Sequence, residues 1–246
     1  MTLILAALAW LFAPERLTDS NAIPLRLGEH LFYTVVSVLL AAVIAIPIGY
    51  LIGHTGRGRE LAVAVAGAAR ALPSFGLLLV IVLLIGTTRA PLAAVVSFVL
   101  LAIPSVLAGA YSGVEAIDRR TVDAARAVGM TEWQILVRVE IPLGLPLLLG
   151  GLRNAALQVV ATVTLAAYIG LGGLGIYIFR GLSLRRYEEM LGGAILIVLL
   201  AIVIDAAFAI LQRLSVPRGI VADRRTRTRA SSPGPRASMG SPIADK

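Results

Sequence analysis

Residues 31–53 read LFYTVVSVLLAAVIAIPIGYLIG, 23 consecutive positions without an acid, lysine or arginine. A helix rises 1.5 Å per residue, so a run of this length reaches about 35 Å, enough to cross the ~30 Å hydrocarbon core of a bilayer. Four more stretches of this kind follow. Residues 90–114 are 25 uncharged positions, 61–88 are interrupted only by Arg70, 142–169 only by Arg153, and 190–212 only by Asp205. All five are expected to be helices, because lipid gives an open strand edge no hydrogen-bond partners. The fold class read from these runs is all-α, a multi-pass membrane protein with five transmembrane helices. Residues 2–13 are apolar but only 12 long, and they lack the basic start of a secretory signal. They are read as an interfacial or external start to an N-terminal segment, 1–30, with a short sixth span as the alternative.

The rest of the composition agrees. Of 246 residues, 58% are hydrophobic before 24 glycines are added, and mean hydropathy is +0.90; soluble domains carry roughly 45–50% apolar residues with glycine included. Cysteine is absent, which removes disulfides, thiolate nucleophiles and cysteine-held metal clusters. The two histidines, His30 and His54, have no carboxylate-rich segment beside them in sequence, so no metal site is expected. The net charge of +8 rests on 21 arginines and one lysine, Lys246. A phosphate-binding loop needs a lysine after its glycines, so the chain is not expected to bind or hydrolyse ATP, or to hold a cofactor.

Eight of the 22 basic residues lie beyond Gln212, which points to a tail facing membrane lipid rather than to nucleic acid. Residues 215–246 are rich in Arg, Ser and Pro without apolar periodicity, and are expected to be disordered and drawn to anionic headgroups. With the N-terminus outside, fourteen basic residues fall on the cytoplasmic side and six outside, which the positive-inside rule favours. Without the tail the two sides are equal.

Between the third and fourth runs lies the one long polar connection, 115–142. Asp118 or Thr121 is placed to cap a short alanine-rich helix that stops at Gly129, and a second helix starts near Thr131 and ends before Pro142. Connections in helical bundles usually take ~2–8 residues, so a long ordered one points to function. A short helix with small residues on one side and Arg, Glu and Trp on the other suits a partner's groove.

This segment resembles the cytoplasmic loop of binding-protein-dependent ABC transporter permeases, written E-A-A, three residues, G, nine residues, I-x-L-P. Here Asp123-Ala124-Ala125 is followed by three residues, Gly129, nine residues and Val139-Glu140-Ile141-Pro142. Asp stands for Glu, Val for Ile and Ile for Leu. The resemblance implies a coupling helix inserted into an ATP-binding subunit, carried by Asp123, Ala124, Ala125, Arg126, Gly129, Met130, Glu132 and Pro142. It implies the type I ABC importer permease fold over residues 31–214. It also implies a dimer of ATP-binding subunits holding ATP and Mg, a second permease subunit, an extracytoplasmic substrate-binding protein, and a bacterial plasma membrane location.

Three further stretches are similar to the osmoprotectant subgroup, which carries glycine betaine, choline, carnitine or proline compounds. They are Ala71-Leu72-Pro73-Ser74-Phe75-Gly76; Ile103-Pro104-Ser105 with Tyr111-Ser112-Gly113; and the run from Leu165 to Gly175. Methionine-type permeases share the helix count, the loop and a similar glycine-rich turn, and an amino-acid importer remains the rival substrate class. An ion-coupled secondary transporter would need internal repeats and mid-membrane carboxylates, of which only Asp205 is visible.

The run Gly170-Leu171-Gly172-Gly173-Leu174-Gly175 matches G-x-G-x-x-G formally, but it follows a membrane helix rather than a strand, so the dinucleotide reading fails. It is read as a tight external turn that could serve a gate. Charges within a bilayer are costly. Arg70 and Arg153 therefore either line the translocation pathway or snorkel to the cytoplasmic surface, and Asp205 is read as a partner for an arginine of the second subunit. Asn154, Gln158 and Thr162 recur at spacings of four and are expected to share a helical face. The pathway or gate candidates are thus Arg70, Pro73, Arg153, Asn154, Gln158, Thr162, Gly172 and Gly173.

Overall fold

A computed structural model of the chain describes residues 2–215, apart from the side chains of Thr2, Ala69 and Arg70. Every regular element among the described residues is helical: α1 (Thr2–Leu11), α2 (Glu15–Thr18), α3 (Ile23–Thr55), α4 (Arg59–Ala71), α5 (Ser74–Ile85), α6 (Ala90–Glu115), α7 (Arg119–Ala127), α8 (Glu132–Ile135), α9 (Ile141–Ala166), α10 (Gly175–Ser183) and α11 (Tyr187–Leu214). Short 3-10 turns occupy Thr87–Arg89 and Ala167–Ile169, and a π segment occupies Leu136–Glu140. The basic tail expected to be disordered falls outside the described residues beyond Ser215.

Among the described residues, four continuous helical stretches are long and apolar enough to cross a membrane: Ile23–Thr55, Thr87–Glu115, Glu132–Ile169 and Tyr187–Leu214. The fifth expected span, 61–88, is not one helix. It divides into α4 and the 12-residue α5, with Leu72 extended between them at ψ 130°. Pro73 lacks an N–H, and its ring disfavours the helical conformation of the residue before it. The first span starts at Ile23 rather than Leu31, because Arg26 and Glu29, one turn apart, neutralise each other at 2.9 Å.

The fourth span also departs from expectation. Pro142 does not end a helix; α8, the π segment and α9 run on as one from Glu132. A proline ring normally collides with the carbonyl four residues back. The backbone widens immediately before it, where the Ile141 N–H donates to the Leu136 carbonyl, five residues back, and the clash is relieved.

Helices α3, α6 and α9 pack mutually and form the centre, with α6 the most enclosed: 61% of its apolar window is buried, against 6% for α11. Small residues set this packing. A Cβ on Gly109 would stand 2.8 Å from Gly151 Cα, and one on Gly113 would stand 2.6 Å from the Gly144 carbonyl oxygen. On the other side of α6, a Cβ on Gly49 would lie 2.5 Å from Ala110 Cβ, and one on Gly53 2.8 Å from Val114 Cβ. Within lipid there is little hydrophobic drive between helices, so close backbone contact supplies the attraction. The buried hydroxyls of Thr34, Ser97 and Thr162 each donate to the carbonyl four residues back at 2.8 Å, which satisfies them within their own helices.

Helices α4 and α5 pack on α6, while α11 flanks α9 and packs against α10 and α1. Residues 2–11 thus form a helix laid along α11. Its Trp10 stacks edge-on against Tyr177 at 5.1 Å and presses on Gly192, where a Cβ would come within 2.5 Å of the indole.

Candidate functional site

The loop end of the bundle is built from local signals that act in series. Asp118 caps α7 by accepting from the Arg120 N–H at 2.9 Å; Thr121, the other expected cap, lies inside the helix. Helix α7 stops at Gly129, which adopts φ +85°. The Gly129 N–H donates to the Arg126 carbonyl at 2.9 Å, and the Met130 N–H to the Ala125 carbonyl at 3.2 Å, so the last carbonyls of the helix are satisfied by a Schellman turn. Thr131 and Gln134 then form a reciprocal capping box, at 2.9 and 3.3 Å, that starts α8.

The result is two rigid helical pieces at an angle fixed by one glycine. Ala125 is buried beneath α7, while Asp123, Ala124 and Arg126 face outward. Val128 and Trp133 project at 79% and 72% exposure. They are apolar points of this surface; the tryptophan was read from the loop, whereas Val128 was not singled out.

Polar contacts run from this surface toward the bundle. Arg126 forks onto Glu132 across the turn, Nε at 2.8 Å and Nη2 at 3.0 Å, and also reaches Asp123 at 3.3 Å. Glu132 faces His54 Nε2 at 3.4 Å, and His54 Nδ1 donates to the buried Glu140 at 2.6 Å. Arg59 pairs with Glu115 at 2.8 Å close by. His54, Glu140, Arg59, Glu115 and Arg126 border a cavity of about 150 Å³ whose lining includes Tyr111, Arg119 and Val122. His54 and Glu140 were not singled out from sequence. They are 86 positions apart, and nothing in either neighbourhood signals the other.

At the opposite end, the glycine turn is fastened to α3. Gly172 and Gly173 have φ +79° and +72°, and the Gly173 N–H donates to Glu29 at 2.8 Å. His30, fully buried, accepts from the Leu174 N–H at Nδ1 and donates from Nε2 to the Val160 carbonyl at 3.0 Å. A side chain on Gly172 would collide with Glu29. Tyr177 donates to the Asn21 carbonyl at 2.6 Å, and burial pushes its phenol up to about 12. Arg180 is held by the buried Glu189 at 2.5 Å. Glu29 and His30 are further residues that sequence reading did not select.

Within the spans, Arg153 of α9 forks onto Asp205 of α11 at 2.5 and 2.7 Å. Asp205 therefore has its partner in the same chain, a correction to the expectation of an arginine from a second subunit. Each charge neutralises the other across adjacent helices, which is the cheapest arrangement in lipid. Asn154, Gln158 and Thr162 do not share one setting: Asn154 is exposed, Gln158 accepts from Ser105 at 3.4 Å, and Thr162 is buried. Eight residues at 3.6 per turn rotate by about 80°, enough to carry a face from outside to core. Pro73 stands at the α4–α5 break, and Arg70 lies in the last turns of α4, its side chain outside the described residues.

The geometry can be set beside known proteins. Residues 45–220 match the family model described as binding-protein-dependent transport system inner membrane component. The chain belongs to this family. The permease is 31% identical over 203 residues to the glycine betaine/carnitine/choline transport system permease protein OpuCB of Bacillus subtilis, covering 82% of this chain and 93% of that protein. It is 36% identical over 198 residues to the osmoprotectant import permease protein OsmW of Salmonella typhimurium, covering 78% and 91%. Its backbone superposes on a chain of the inward-facing MetNI methionine ABC transporter with TM-score 0.69 at 22% identity, over 79% of this chain and 96% of that one. The matched fold is the type I importer permease fold, and the permease is a multi-pass inner membrane component.

Proposed function

We propose that this permease forms, with a second permease subunit, the path by which an ATP-driven importer brings a compatible solute into the cell. The solute class is glycine betaine, choline, carnitine or proline compounds, in keeping with the names of the related OpuCB and OsmW proteins. The observation that carries the reading is the α7–Gly129–α8 unit. It is a capped, rigid, outward-facing knob with Val128 and Trp133 exposed at its edge, set at the end of a glycine-packed helix trio. Such a knob suits a cleft of an ATP-binding subunit, the dimer of which holds the ATP and Mg. Asp123, Ala124, Arg126, Met130 and Glu132 meet the partner or brace the turn, Ala125 seats α7, and Pro142 sets the π segment behind it.

In this reading the loop end is cytoplasmic, the N-terminus lies outside, and α4 with α5 completes a fifth crossing. An extracytoplasmic binding protein delivers solute to the opposite end, where Gly172 and Gly173 hold α3 against the α9–α10 turn as part of the outer gate. Pro73, Asn154, Gln158 and Thr162 lie along or beside the path, and the Arg153–Asp205 pair locks α9 to α11. ATP binding closes the ATP-binding subunits, moves the docked loops and opens the path outward; hydrolysis resets it.

The test is uptake of labelled glycine betaine into proteoliposomes containing the full set of subunits, with and without ATP, challenged by excess choline, proline or methionine. ATP-dependent uptake competed by choline or proline is expected. Transport of methionine with no uptake of betaine overturns the solute class and keeps the permease.

A further inference from the structure

Helix α7 packs against α8 and the π segment, whereas α3 packs against α6 and α9. Loop displacement reaches α3 by one route through the continuous α8–α9 helix that packs on it, and a second, more direct link runs beside that route. The last turn of α3 carries such a link. His54 stands between two carboxylates of contrasting character: Glu140, 4% exposed in the π segment, 2.6 Å from Nδ1, and Glu132, exposed in the first turn of α8, 3.4 Å from Nε2. Glu132 is in turn gripped by the Arg126 fork from α7. A polar chain thus runs Asp123, Arg126, Glu132, His54, Glu140, and it crosses from the loop to α3 at the imidazole.

We infer that His54 is a positioning residue that transmits displacement of the α7–α8 knob to α3. This rests on the coupling role proposed above and deepens it. The tight contact is to the buried acid and the long one to the exposed acid, so His54 is anchored on the bundle side and loosely engaged on the loop side. A shift of Glu132 with α7 makes or breaks the second contact. Helix α3 is seated closely on α6 through Gly49 and Gly53, where a Cβ would stand 2.5 and 2.8 Å from Ala110 and Val114, so a pull on its last turn moves the helix as a body rather than bending a side chain. The 150 Å³ cavity beside His54, bordered by Arg59, Glu115 and Asp123, provides room for that shift. The π segment that carries Glu140 is a helical geometry frequent at functional sites.

The experiment uses the complete transporter in proteoliposomes, measuring solute uptake and ATP hydrolysis on the same vesicles for His54→Ala, His54→Gln, Glu132→Gln and the double variant His54→Ala/Glu132→Gln. In His54→Ala, the ATP-binding subunit is expected to copurify and to hydrolyse ATP, while solute imported per ATP falls at least fivefold. The double variant is expected to be no worse than the poorer single one, as for residues acting in one path. His54→Gln, which keeps an amide donor on this turn of α3 beside Glu132 and Glu140, is expected to recover part of the ratio. An unchanged ratio in His54→Ala, losses that multiply in the double variant, or failure of His54→Gln to assemble with the ATP-binding subunit overturns the assignment.

A second readout is independent of the solute. The chain has no cysteine, so spin labels introduced by Arg57→Cys and Leu214→Cys report the distance from the end of α3 to the end of α11. A non-hydrolysable ATP analogue with Mg is expected to change that distance in the otherwise unaltered complex and not in His54→Ala. A displacement that persists in His54→Ala overturns the proposal. Displacement lost in His54→Ala in a complex that carries no osmoprotectant removes the solute class and keeps the role of His54.

Discussion

Gly129 offers a test in which backbone conformation is isolated from packing. Its φ is +85°, and a Cβ built on it would meet nothing within 4 Å. Substitution therefore creates no clash, and its cost is that of placing a side chain in the left-handed region: about 1–2 kcal/mol for alanine, less for asparagine, and more for a β-branched residue. At 1.4 kcal/mol per decade, alanine shifts the α7–α8 turn away from its present geometry by roughly 5- to 30-fold. Because no core contact is lost, membrane insertion and the melting temperature of the bundle should stay near those of the unaltered chain. ATP-driven uptake should fall in the order Gly129→Asn, Gly129→Ala, Gly129→Val, with the last close to background. The assay is uptake in proteoliposomes alongside copurification of the ATP-binding subunit. Full transport by Gly129→Val, or a Gly129→Asn variant worse than Gly129→Val, refutes the reasoning, since either result means that the left-handed turn is not what transport requires.

Close packing is tested on α6: Gly113→Val, whose first carbon alone would sit 2.6 Å from the Gly144 carbonyl oxygen, should cost about 1–3 kcal/mol and lower the melting temperature of the detergent-solubilised permease. Gly67→Ala, with open space around it, should leave melting unchanged or raise it slightly, by the ~0.5–1 kcal/mol expected of alanine over glycine within a helix. For the intramembrane pair, Asp205→Ala strands Arg153 and should reduce the yield of folded protein in fluorescence-detected size exclusion. Arg153→Met combined with Asp205→Leu should recover much of that loss. Tyr177→Phe removes the hydrogen bond to the Asn21 carbonyl and should lower stability by about 1 kcal/mol, read as a modest drop in melting temperature.

Four of the helical stretches were legible because a bilayer makes one demand, about 20 residues without an uncompensated charge, and that demand can be counted residue by residue. The loop was legible because caps and glycine stops act over three or four positions. Its second helix was misjudged where a longer-range effect intervened: Pro142 signals a stop on its own, and only the widened turn at Leu136–Glu140 lets the helix pass through it. Residues 61–88 failed in the opposite sense, since counting apolar residues gave Pro73 too little weight against the run around it. Gly49 with Gly53, and Gly109 with Gly113, stand four apart and are the sequence mark of close helix approach, yet were not read as such. Pairings such as His54–Glu140, Arg153–Asp205 and Glu29–Gly173 arise only when helices distant in sequence meet, and no local pattern carries them.

The pairings His54–Glu140 and Glu29–Gly173 differ in kind from the glycine contacts between the helices. The loop-side part of α6, residues 109–114, is held by close contacts to α3 and α9. The ends are joined by hydrogen bonds and ion pairs, which exchange partners over short distances without opening a void. A permease that alternates access has to keep its helices packed in lipid while changing which end is closed. Steric contact between helix backbones, with polar contacts at the helix ends, meets both needs. It follows that a substitution such as Gly113→Val acts on stability first, whereas one at His54 or Glu29 acts on the balance between states, and the two kinds should separate when melting temperature and uptake are measured on the same preparations.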